Sequence, residues 1–70
     1  MSTIKVTILE SLKDKLKGEI AVAKANVTVY LNNPVGIGEH PDVLGAIQDQ
    51  IDLIAKEEER IQVISKHFTS

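Results

Sequence analysis

Apolar residues recur along this chain in two periodic runs separated by one break. In the first half, Leu9, Leu12, Leu16, Ile20, Ala23, Val27 and Leu31 follow one another at spacings of 3, 4, 4, 3, 4 and 4. That eleven-residue rhythm lies close to the natural helical period and predicts one face of a long, nearly straight helix over about residues 4–32. Thr7 and Glu10 in "TILE" fit a capping box at its start, with Ser2 or Thr3 as earlier alternatives. A competing pattern is present, because "IAVAKANVTVYL" also alternates and "IKVTI" reads equally as a short extended arm. Three alanines in the longer stretch are poor strand formers, and the helical rhythm runs into it unbroken from the preceding leucines. Helix is the expectation.

In the second half, Leu44, Ile47, Ile51, Ile54, Ile61 and Phe68 follow heptad spacing, with Glu58 where one further apolar residue would fall. This predicts a second amphipathic helix over about 41–67. Pro41 suits a first helical turn, and Asp42 places negative charge near the amide-rich helix start.

The break, "NNPVGIGEHPD" at 32–42, is expected to be a structural loop spanning 33–40. Pro34 holds Asn33 out of helical geometry, and Asn32 or Asn33 tolerates a left-handed cap. Gly36 and Gly38 supply backbone freedom, and His40 with Pro41 leads into the next helix. Folding the chain there makes an all-α antiparallel hairpin, one domain over residues 1–70, in which facing residue numbers sum to about 73. Lys13, Lys15 and Lys17 then fall beside Glu57, Glu58, Glu59 and Arg60.

Charge supports that juxtaposition. Residues 1–31 hold five lysines against three acids, a net +2, and residues 41–70 hold three basic against six acidic side chains, a net −3. Exposed pairs contribute no more than about 1 kcal/mol each, so they favour a register more than they stabilise it.

Composition narrows the candidate chemistry. The chain has no cysteine, which removes disulfides, thiolate zinc sites and cysteine nucleophiles together. Only Tyr30 and Phe68 are aromatic, which disfavours base stacking on nucleic acid. No apolar run reaches membrane-spanning length, and the first residues lack the pattern of a secretory signal, so a soluble, cytoplasmic protein is expected. "GIG" lacks both the third glycine of a dinucleotide fingerprint and the Gly-Lys-Ser/Thr run of a Walker loop. Glu39, His40 and Asp42 could bind a divalent metal or do acid–base work, but a capping His40 beside a solvated Glu39 is the simpler reading. Lys13, Lys15 and Lys17 are interrupted by Asp14 and followed by Glu19, which suits a salt-bridged helix face better than a nucleic-acid contact. No catalytic residue, metal or cofactor is assigned.

A resemblance rests on "GEIAVAKANVTVYLNNPVGIGEHPD" continuing through "IAKEEERIQVISKHF". Over roughly residues 18–68 the chain resembles short uncharacterised proteins encoded by tailed bacteriophages of marine cyanobacteria and found in ocean metagenomes. The resemblance implies a phage-encoded protein in the host cytoplasm, and it brings no functional residues with it.

A single hydrophobic core of seventy residues is marginal without disulfides, metal or oligomerisation. The sequence also offers more apolar surface than one hairpin needs. Behind the main stripe of the first helix, Gly18, Val22, Ala25 and Val29 recur at spacings of 4, 3 and 4, and Ala46 and Leu53 form a lesser counterpart on the second. A helix apolar nearly all round is expected to be buried. The expected protein is therefore a small structural or regulatory interaction protein, a homo-oligomer whose hairpins meet through these faces as a four-helix bundle, with a dimer as the default.

Overall fold

The computed structural model describes residues 3–32 and 42–68. It contains two α-helices, α1 (Thr3–Leu31) and α2 (Val43–His67), packed against each other along their lengths, and no strand among the described residues. The expected loop residues Asn33, Pro34, Gly36, Gly38, His40 and Pro41 lie outside the described residues.

α1 begins at Thr3, so Thr7 is already inside the helix and does not cap it. Its hydroxyl donates back to the Thr3 carbonyl at 2.9 Å, the ordinary fate of a threonine one turn into a helix. The earlier of the predicted starts is the observed one, and the stretches that also read as strands are helical throughout. At the other end, Asn32 adopts no left-handed conformation, since no described residue has a positive φ. Instead its backbone N–H and its side-chain Nδ2 both donate to the Thr28 carbonyl, at 3.1 and 2.9 Å.

α2 starts two residues later than expected. Asp42 occupies the N-cap position without a side-chain cap bond, and its carbonyl accepts from the Ala46 N–H at 2.9 Å. Lys66 and His67 place basic side chains in the last turn, where the carbonyl end of the helix attracts them.

Between the helices, Leu16, Ala23 and Ile64 are buried, flanked by half-buried Leu9, Ile20, Val27, Ile47, Leu53, Ile54 and Ile61. The α1 stripe is the predicted one, except that Leu12 and Leu31 at its flank and end are exposed. α2 departs further from expectation. The series Ile47, Ile54, Ile61 faces inward as predicted, but its companions are Val43, Gln50, Glu57 and Ile64 rather than Leu44, Ile51 and Glu58. Leu44 and Ile51 are exposed, as are Glu58 and Phe68, while Glu57 is completely buried. The inward face thus keeps the Ile47–Ile54–Ile61 series and takes the neighbouring flank on its other side, a turn of roughly 50° from the expected orientation. Asn26 Nδ2 donates to Gln50 Oε1 across the interface at 3.1 Å, joining residues whose numbers sum to 76 rather than 73.

The ion pairs also differ from expectation. Lys13 pairs with Glu10 at 3.6 Å and Lys15 with Glu19 at 2.9 Å, both within α1, and Arg60 pairs with Glu57 at 2.8 Å within α2. Lys13 and Lys15 therefore find acids one turn away on their own helix, where partners are already held at the right spacing.

Candidate interaction surface

The hairpin is a single layer of two helices. Its extents are 54 × 15 × 11 Å, and its radius of gyration of 16.2 Å exceeds the value of about 11 Å expected for a compact chain of this length. Its accessible surface of 5259 Å² likewise exceeds the roughly 4,300 Å² expected of a compact monomer of its mass. Several large apolar side chains contribute to this surface. Ile4, Ile8, Val22, Val29, Leu31, Leu44 and Ile51 are each more than half exposed. The hydrophobicity of α1 is spread almost evenly around its circumference, whereas that of α2 is concentrated on one side.

One lateral side of the hairpin is concave. Toward the α2 C-terminus, a groove of about 560 Å³ has an apolar floor of Leu12, Leu16, Val63 and Ile64 and a charged rim of Lys15, Lys56, Glu59 and Arg60. Lys15 also borders a second depression of about 440 Å³, formed with Gly18, Glu19, Val22 and Leu53. The two share one edge of α1, so they make a discontinuous apolar trough along the same side.

Of the residues expected to form an oligomer surface, Gly18, Val22 and Leu53 are brought together in this second depression. Ala25 and Val29 are exposed on α1, outside the two hollows. Ala46 and Leu53 do not lie behind α2 as expected: both are half-buried on the flank that turns toward α1. The rotation of α2 is the cause, since it carries positions 46 and 53 inward with 43, 50 and 57. Of the residues lining the first groove, Val63 and Lys56 were not singled out from sequence. Their signal is weak, because Val63 lies outside the heptad series and becomes a lining residue only once α2 has its observed orientation.

Glu57 is the one fully buried charged side chain among the described residues. Its Oε1 accepts from Arg60 Nη1 at 2.8 Å, and its Oε2 has no hydrogen-bond partner. Of the acid–base candidates, Glu39 and His40 lie outside the described residues, and Asp42 is the N-cap of α2. Among the described residues no three His, Cys, Asp or Glu side chains gather where they could hold a metal ion. No helix among them is long and apolar enough to cross a membrane. Lys13 and Lys15 are engaged by Glu10 and Glu19, so the three lysines do not form an uncompensated basic patch.

These features define an all-helical hairpin with an apolar, concave side. Comparison with protein-family models, curated proteins and solved structures finds no match.

Proposed function

We propose that this chain is a small structural or regulatory interaction protein that works as a homo-oligomer, a dimer in which two hairpins form a four-helix bundle. The observation that carries the reading is the excess surface: roughly 900 Å² more than a compact monomer exposes, close to the roughly 800 Å² that each partner buries in an ordinary stable interface. A one-layer hairpin leaves one side of each helix without a neighbour, and a second layer is the common way such sides are covered. The concave apolar side containing Gly18, Val22 and Leu53 supplies a surface for it. The proposal extends to the host cytoplasm as the site of action, which is what the phage resemblance implies. Catalysis, cofactors and nucleic acid have no part in it.

Sedimentation equilibrium over a range of micromolar concentrations tests the reading. The expected result is a dimer mass for the parent chain and a monomer mass for Val22→Glu and Ala25→Glu. Both positions are exposed within the hairpin, so the variants should keep their helical circular dichroism. A parent chain that is fully folded and monomeric overturns the proposal.

A further inference from the structure

The exposed surface of α1 carries its own regular seam. Ile4, Ile8, Ser11 and Lys15 follow at spacings of 4, 3 and 4, and every one of them is exposed in the hairpin. The same alternation continues without interruption through Gly18, Val22, Ala25 and Val29, all exposed as well. Five of these eight positions are apolar, at the 3–4 spacing by which one helix packs along another, and α2 does not occupy them.

The order of sizes along this seam indicates what does. Its N-terminal half holds the large residues Ile4 and Ile8, and its C-terminal half the small or short ones Gly18, Ala25 and Val29. Reversing the seam against itself pairs residues whose numbers sum to 33. Ile8 then meets Ala25 of the partner subunit, Ile4 meets Val29 of the partner subunit, and the Lys15 stem crosses Gly18 of the partner subunit. The remaining level sets Ser11 against Val22 of the partner subunit, so a small residue faces a larger one at three of the four levels, with Ile4 against Val29 of the partner subunit as the apolar contact at the end. A parallel pairing would instead set Ile8 on Ile8, Gly18 on Gly18 and Lys15 on Lys15, leaving both gaps and like-charge repulsion.

Charge agrees with the antiparallel order. Lys15 and Glu19 pair at 2.9 Å beside the depression that also holds Gly18, Val22 and Leu53. A two-fold axis passing between positions 15 and 18 brings a second Lys15–Glu19 pair next to the first with signs alternating. The same placement sets the partner's α1 along the edge of that depression, within reach of Leu53.

We infer that the occupant of this face is a second copy of the chain, docked with its α1 antiparallel to the first about a two-fold axis between Lys15 and Gly18. The inference rests on the self-association proposed above and adds its geometry. Residues on opposite sides of the axis cannot meet within one chain, because positions 8 and 25 of a single helix are about 26 Å apart.

Cysteine cross-linking tests the arrangement, since the native chain has no cysteine. Ile8→Cys/Ala25→Cys should convert almost completely to a disulfide-linked dimer in a glutathione redox buffer, as should the independent pair Ile4→Cys/Val29→Cys. The single variants Ile8→Cys and Ala25→Cys should give almost none, because their thiols are held far apart on the two copies. Reduced forms are checked for parental helicity and sedimentation beforehand, so the second pair serves if the first is perturbed. Efficient cross-linking of Ile8→Cys alone, or a dimer that neither pair traps, overturns the antiparallel seam and leaves self-association standing. A monomeric parent chain overturns both.

Discussion

Arg60 reaches back one turn along α2 to Glu57, its Nη1 donating to Oε1 at 2.8 Å, while the other oxygen of that buried carboxylate has no partner. The pair is uneven: the Glu57 side chain is 1% exposed and that of Arg60 57%. A carboxylate removed from water needs its hydrogen bonds more than the guanidinium does. Arg60 therefore acts mainly to limit the cost of placing Glu57 between the helices.

Removing the carboxylate should thus help the fold. Glu57→Leu is expected to stabilise the protein by about 1–3 kcal/mol, the range for relieving an unsatisfied buried polar group. Arg60→Ala should destabilise it by about 2 kcal/mol, because it leaves the carboxylate buried with no partner at all. Adding Arg60→Ala to Glu57→Leu should then cost little. Urea melts at fixed protein concentration measure all three, and a lower midpoint for Glu57→Leu would place Glu57 in solvent.

The orientation of α2 is tested by two isoleucines. Ile64 is 7% exposed and Ile51 52% exposed, although the heptad series of the sequence favours Ile51 as the inward residue. Ile64→Ala should cost about 2–4 kcal/mol, as for truncation of a buried aliphatic chain. Ile51→Ala should cost about 1 kcal/mol or less. Thermal and chemical denaturation of the two variants side by side decides the point, with the reverse order returning α2 to the expected face.

Within one hairpin, the lysines of α1 should contribute to stability through their intrahelical pairs and stems. Changing Lys13, Lys15 and Lys17 together to glutamine removes two intrahelical ion pairs, each contributing about 0.3–0.5 kcal/mol. Lys13 adds to the loss through its stem, since its side chain is only 13% exposed and covers neighbouring apolar surface. The expected total is about 1–2 kcal/mol at low salt, the ionic part of it screened as salt is added. Affinity for single- or double-stranded DNA should be negligible before and after the change. Micromolar, salt-sensitive binding in a gel-shift series that disappears in the variant would establish a nucleic-acid role instead.

The sequence by itself determined two helices and their approximate limits. Spacing along α1 from Leu9 to Val27, and along α2 through Ile47, Ile54 and Ile61, reports a helical period whatever the helix packs against. It also showed that α1 carries apolar residues on more sides than one neighbour can cover. Only the tertiary structure decided which flank of the Ile47–Ile54–Ile61 series turns inward. The flank with Leu44, Ile51 and Glu58 and the flank with Val43, Gln50, Glu57 and Ile64 lie on either side of that series and differ by a single residue. Hydrophobicity alone favours the first. The second is the one that packs Ile64 and Leu53 toward α1 and lets Asn26 bond Gln50, at the cost of burying Glu57. Periodicity fixes a stripe along one helix, but the rotation of that helix depends on what the other helix presents opposite it, and that information lies in no local stretch of the chain.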